Sequence, residues 1–191
     1  MKRALVGFVR PWWVTGLWRW AGMVVLVWAA MLGSAVPGTA MAEPAKEMEL
    51  LLKTVGGQPL RLADLRGKVV VVNFWATWCP PCLAEIPELV RFHERYGNKG
   101  VVVLGIDYMD HVTLEQLQQF VVEHHISYPV VYGETAQLDQ VAKMLGGVFG
   151  LPVTKLLNQK GQLVASRVGG VTEKDLQNWV DPLLVATSAA R

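Results

Sequence analysis

Val69-Val70-Val71-Val72-Asn73-Phe74-Trp75-Ala76-Thr77-Trp78-Cys79-Pro80-Pro81-Cys82 is the stretch that decides the fold. The run from Lys68 to Phe74 is short, β-branched and nearly all apolar, which reads as a buried strand. Beyond the cysteines, Leu83, Ile86, Leu89, Val90 and Phe92 recur at helical spacing with charges between them. Both cysteines of the chain therefore sit at a strand-to-helix turn, with Cys79 near the helix N-terminus. Free backbone N–H groups and the helix dipole stabilise an anion there. A dipole contribution of about 1 kcal/mol lowers a thiol pKa by somewhat under one unit. The thiolate is the attacking species in thiol–disulfide exchange. Cys79 is expected as the exposed nucleophile and Cys82, one turn deeper, as the resolving thiol. Pro81 suits a first helical turn, where its missing N–H costs no hydrogen bond.

Two structural readings of the pair compete with redox use. A stabilising disulfide is the usual fate of paired cysteines in an exported protein. Closing a loop this short gains only about 2 kcal/mol on the chain-entropy model, the weak end of the range. A structural zinc site wants four ligands, and the chain has no other cysteine. His93, His111, His124 and His125 have no motif-like spacing to the pair. Redox use is the stronger reading.

Residues 1–42 read as a signal peptide rather than as part of the fold. They carry Lys2, Arg3, Arg10 and Arg19 and no acidic residue. An apolar stretch from Ala21 to Leu32 and the small-x-small pattern Ala40-Met41-Ala42 follow. The rival is an uncleaved anchor, although a dozen apolar residues is short for a span that needs about 20. No cysteine precedes Cys79, so a lipid anchor on an N-terminal cysteine is excluded. The chain's 18 basic and 16 acidic residues become 14 against 16 without the leader, a net of −2. The apparent basicity belongs to the leader, and no basic stripe in the rest favours nucleic acid. Residues 43–191 are long enough for one domain with a hydrophobic core.

Leu50 to Leu62 reads as a β-hairpin turning at Gly56-Gly57, and Leu62 to Arg66 as a helical turn stopped by Gly67. The helix after the cysteines is expected to reach about Tyr96 and to kink at Pro87. Gly100-Val101 to Asp107 is a second apolar strand, completing a β-α-β unit with parallel strands. Helical periodicity over Thr113–His125, a short strand at Tyr128–Tyr132 and a helix at Leu138–Leu145 come next. Leu156-Leu157 and Leu163–Val168 flank a hairpin turn at Asn158-Gln159-Lys160-Gly161. Thr172, with Asp175 three residues on, caps a last helix bearing Leu176, Trp179, Val180 and Leu183. Ala186 to Arg191 is expected to fray.

The motif and element order resemble the thioredoxin superfamily, and within it the exported TlpA/ResA-like thiol–disulfide oxidoreductases. The residues carrying this are Val71 to Cys82, Glu85, Pro87, the Gly150-Leu151-Pro152-Val153-Thr154 loop and the Asn158–Gly161 turn. The match spans about 48–185. It implies an α/β fold: a central mixed sheet flanked by helices, with an N-terminal β-hairpin and a helix-strand insertion at about 108–140. It further implies a cis Pro152 facing a redox-active Cys79–Cys82 disulfide. Trp78, Pro80, Pro81, Leu151 and Pro152 would then dock the partner chain. Val153 and Lys155 depart from the Thr and aromatic residue usual there.

Thioredoxin itself carries a buried Asp where this chain has Asn73, and the TlpA-like pattern has a Glu where this chain has Glu85. Glu85 lies one helical turn beyond Cys82 and could take that thiol's proton directly or through water. As an anion near the pair it would oppose thiolate formation, whereas a strong oxidant needs an unusually stabilised thiolate. The bland alternative for Glu85 is a solvated helix carboxylate. The resemblance implies a reductant of protein disulfides in the periplasm, with apocytochrome c or a copper-site protein as substrate. A membrane thiol-transfer protein would return the electrons, with no cofactor and no resident metal. Copper(I) carriage by Cys79 and Cys82 is the alternative from a different class, since soft thiolates suit that ion.

Overall fold

The computed structural model describes residues 50–189, so the expected leader at 1–42 and the lead-in at 43–49 lie outside the described residues. The valine run forms β3 (Val69–Trp75), displaced by one residue from the expected Lys68–Phe74, and every residue of it is buried. It pairs in parallel with β4 (Val101–Asp107), Val69 level with Val101 and Trp75 level with Asp107. On its other side it runs antiparallel to β6 (Val153–Leu157). With β1 (Leu52–Thr54), β2 (Pro59–Leu60), β5 (Val130–Tyr132) and β7 (Leu163–Val168), this makes a mixed seven-stranded sheet of order β2-β1-β5-β4-β3-β6-β7. The expected hairpin is β1–β2, and the inserted strand is β5, wedged between β1 and β4.

Among the described residues four α-helices cover the sheet: α1 (Pro80–Tyr96), α2 (Leu114–Glu123), α3 (Thr135–Met144) and α4 (Glu173–Ala189). Side-chain alternation along β3 assigns them to faces. Val69, Val71 and Trp75 join a cluster with Ile86, Leu89 and Phe92 of α1, Leu117 of α2, and Leu176 and Val180 of α4. Val70, Val72 and Phe74 point the other way, to Leu138, Val141 and Ala142 of α3. Each fully buried valine contributes about 1.5–3 kcal/mol, which makes β3 the anchor of both layers. Asn73 shares the parity of Val71 and Trp75, so the strand's one amide faces α1.

Two helix starts, those of α2 and α4, follow their capping chemistry. Thr113 and Gln116 form a reciprocal capping box on α2. At α4, Asp175 N–H donates to Thr172 Oγ1 at 3.2 Å while Thr172 N–H donates to Asp175 Oδ2 at 3.0 Å. The end of α4 departs from expectation. The helix runs to Ala189 where a frayed tail from Ala186 was expected. Leu183 and Leu184 still pack on the core there, and alanine sustains the ladder beyond them.

Candidate active site

Cys79 is the N-cap of α1, and Pro80 and Pro81 occupy the first helical positions, where no intrahelical N–H is required. Cys82 N–H donates to Cys79 O at 3.0 Å and Leu83 N–H to the same oxygen at 3.1 Å, which closes the first turn. That turn brings the two Cα atoms to 5.3 Å, and the sulfurs form a disulfide. The backbone geometry of one helical turn is thus what makes the dithiol closable.

One expectation needs correcting. Cys79 was anticipated as an exposed nucleophile, yet in the disulfide it is only 2 % accessible. The turn folds back, with Cys79 N–H donating to Ala76 O at 3.2 Å, and this seats the residue in the apolar cluster with Trp75, Ala76 and Cys82. What is exposed is the rim, namely Trp78 at 58 % together with Pro80 and Pro81. A partner must therefore approach across that rim to reach sulfur.

Glu85 is not a solvated carboxylate. It is 3 % exposed, accepting from Asn73 Nδ2 at 2.8 Å on Oε1 and from Val171 N–H at 2.9 Å on Oε2. Burial pushes its pKa up to about 7, against the lowering effect of those two hydrogen bonds. It stands three residues after Cys82 on α1, so this carboxyl and the deeper sulfur share one helical face. Asn73 also donates to Thr154 Oγ1 at 3.0 Å, which joins β3, α1 and β6 at one amide. Asn73 cannot titrate, so Glu85 alone carries the charge of this trio.

The Leu151–Pro152 peptide is cis. Pro152 immediately precedes β6, whose Val153 pairs with Phe74 of β3, and Leu151 packs against the cluster that holds both cysteines. Lys155, one of the departures from the family pattern, is buried within β6, and that burial lowers its pKa. Sequence reasoning missed Phe149, which is 92 % exposed three residues ahead of Pro152. An aromatic between Gly146-Gly147 and Gly150, just ahead of a proline, was the available signal.

It also left Tyr108 and Asp110 without a role. The loop after β4 closes on the redox turn: Tyr108 N–H donates to Trp75 O at 2.8 Å, and Trp78 Nε1 donates to Met109 O at 3.0 Å. His124 and His125 are exposed at the end of α2, as expected of solvated residues. Among the described residues no group of three His, Cys, Asp or Glu side chains is placed to hold a metal ion, and no helix is long and apolar enough to cross a membrane.

The Redoxin family model matches residues 33–180. Sporulation thiol-disulfide oxidoreductase A of Bacillus subtilis is 26 % identical over 149 residues, 76 % of this chain and 87 % of that protein. Thiol-disulfide oxidoreductase ResA of Bacillus thuringiensis is 32 % identical over 126 residues, 65 % of this chain and 68 % of that protein. Among solved structures, the thiol:disulfide interchange protein of Chlorobium tepidum, a thioredoxin family protein, is 30 % identical with a TM-score of 0.63. It is matched over 70 % of this chain and 92 % of its own.

Proposed function

Since the chain belongs to the Redoxin family and is a thiol–disulfide oxidoreductase of the ResA and sporulation type, we propose that it works as a reductant of protein disulfides outside the cytoplasm. The observation that carries this reading is Glu85, buried on the helix face of Cys82 with a pKa near neutrality. A carboxyl so placed disfavours a strongly stabilised thiolate pair, and that stabilisation is what makes a dithiol an oxidant.

In the forward reaction the Cys79 thiolate attacks one sulfur of the partner disulfide. An S–S bond forms between Cys79 and the partner, and the partner's other sulfur leaves as a thiolate. Cys82 gives its proton to Glu85 and attacks Cys79 Sγ, which re-forms the internal disulfide and releases the second partner thiolate. Two electrons pass from the dithiol to the partner. The two partner thiolates are protonated, one by way of Glu85 and the other from solvent. Trp78, Pro80, Pro81, Leu151 and Pro152 form the docking rim.

The basic, apolar leader supports export to the periplasm, with membrane attachment if it is retained. Apocytochrome c or a copper-site protein supplies the disulfide, and a membrane thiol-transfer protein returns the electrons. No further cofactor takes part. The test is the equilibrium reduction potential of Cys79–Cys82 against glutathione, together with insulin reduction with and without copper(I). A potential nearer thioredoxin's, about −270 mV, and full activity without metal are expected. A value as high as about −120 mV reverses the direction, and tight copper(I) retention with no metal-free activity replaces the enzyme reading with a carrier.

A further inference from the structure

The exchange chemistry leaves unused a pair of carboxyls beside the redox turn. β4 pairs with β3 to its last residue, so Asp107 stands level with Trp75. Asp107 is buried, and its Oδ1 has no hydrogen-bond partner. The Asp110 carboxyl lines the same small cavity as Asp107, and the two carboxyls act on each other's protonation. Asp110 Oδ2 accepts from Thr77 N–H at 2.6 Å, and its Oδ1 accepts from His111 N–H at 2.8 Å. Met109, between them, adopts a left-handed backbone (φ 58°), the bend that returns Asp110 to the turn. Residues 108–110 thus hold Trp75, Thr77 and Trp78, the approach to Cys79.

The cavity beside this pair offers no counter-charge. A cavity of about 70 Å³ beside Asp107 is lined by Tyr132 and by apolar or hydroxyl side chains of α2 and α3, with no basic residue. The other ionisable groups nearby are Tyr108, whose hydroxyl donates to Asp139 of α3 at 2.6 Å, Glu115 in the first turn of α2, and His111. Two neighbouring carboxyls without a cation between them cannot both ionise cheaply. Burial raises Asp107, and Asp110 adds to that, to about 8. Burial also opposes ionisation of Asp110, but the hydrogen bonds from Thr77 and His111 outweigh it and hold that carboxyl low.

We propose that Asp107 and Asp110 share one proton and act together as positioning residues for the Thr77–Trp78 approach to Cys79, a clamp that loosens when the proton leaves at alkaline pH. Asp107 holds the proton and donates it to Asp110, whose charge is thereby available to Thr77. When hydroxide takes the proton to form water, the two anions repel and the loop draws away from the turn. The inference rests on exchange at Cys79 and is independent of the direction of electron flow.

In the oxidised protein no thiol titrates, so amide NMR isolates the carboxyls. The Thr77 amide and the Trp78 Nε1–H signals are expected to shift together with a midpoint near pH 8. Asp107→Asn is expected to abolish that titration, whereas Glu85→Gln leaves it in place. In the reduced protein, the rate of reaction with a small disulfide, divided by the thiolate fraction, should fall about threefold or more between neutrality and about pH 9.5. Asp107→Asn should remove that fall. A Thr77 amide that does not titrate in this range, or that still titrates in Asp107→Asn, overturns the proposal. Should the variant fail to fold, the Asp107 side-chain carbon in the unmodified protein gives the same answer. Titration of that carbon with the Thr77 amide supports the clamp, and titration in the ordinary acidic range refutes it.

Discussion

Asn73 and Glu85, twelve residues apart in the chain, meet at 2.8 Å, with the amide donating to the carboxylate. The same amide nitrogen donates to Thr154, so a single side chain ties the central strand to the redox helix and to the strand that follows Pro152. The second Glu85 oxygen accepts from the Val171 backbone, just ahead of α4. The Glu85 carboxyl is thereby fixed in position while burial keeps its affinity for a proton high.

That affinity has a thermodynamic consequence. An ordinary glutamate pKa of 4.5 in the unfolded chain becomes about 7 in the fold. Between those values the folded protein binds a proton that the unfolded chain has released, so this group's contribution to stability falls as pH rises through the window. The full loss is about 3 kcal/mol. Glu85→Gln should flatten this part of the profile and raise stability at pH 8 relative to the parent. The Asn73 Oδ1, which has no partner, can turn to accept from the new amide. Urea denaturation at several pH values measures it, and a parent profile that rises from pH 5 to 7 would sink the assignment.

Replacing Asn73 by Asp sets a second buried carboxyl against Glu85. Uncompensated, this should cost about 3 kcal/mol or more above neutral pH and much less near pH 5, where one of the pair is protonated. Denaturation midpoints at the two pH values separate this electrostatic effect from simple loss of a hydrogen bond. Equal costs at both would point to the latter.

Cys82→Ser leaves the attacking sulfur without its resolving partner. A stable mixed disulfide at Cys79 should accumulate with any protein substrate and be visible on a non-reducing gel, whereas Cys79→Ser should give none. Because the closed loop is so short, reducing the disulfide of the parent should change its stability by only about 2 kcal/mol. A much larger change would mean that the pair has a structural role.

Trp78 is mostly exposed and makes one side-chain hydrogen bond, to Met109 O. Trp78→Ala should leave stability within about 1 kcal/mol. Reduction of a protein disulfide should slow about tenfold, while reaction with a small disulfide reagent falls only about threefold, as for the loosened loop. Parallel rates on the two kinds of substrate decide the matter, since equal slowing would place Trp78 in the chemistry rather than in docking.

Gly105 faces the ring edge of a buried aromatic. A Cβ there would lie 2.9 Å from Trp75 Nε1 and 3.1 Å from Tyr128 Cε2. Gly105→Ala should therefore destabilise by about 1–3 kcal/mol through overpacking. Thermal denaturation tests it, and an unchanged melting temperature would show that the indole can yield.

Local chemistry made much of this legible in advance. The β-branched run could hardly be anything but a buried strand, the two prolines mark a first helical turn, and Thr172 with Asp175 reads as a cap. The spacing of the cysteines by itself determined that they could close a disulfide, because one helical turn brings their Cα atoms within range. Accessibility was a different matter. Whether Cys79 points to solvent depends on how the turn folds back onto Ala76, and no local pattern encodes that.

The sequence by itself thus determined the element order and the cysteine turn. Only the tertiary structure decided what surrounds that turn. The protonation of Glu85 depends on burial and on Asn73 and Val171, groups drawn from β3 and the approach to α4. The pairing of Asp107 with Asp110, and their hold on Thr77, arises because β4 ends level with Trp75. Secondary structure follows from periodicities a few residues long, whereas a pKa is set by whatever the fold brings within a few ångströms.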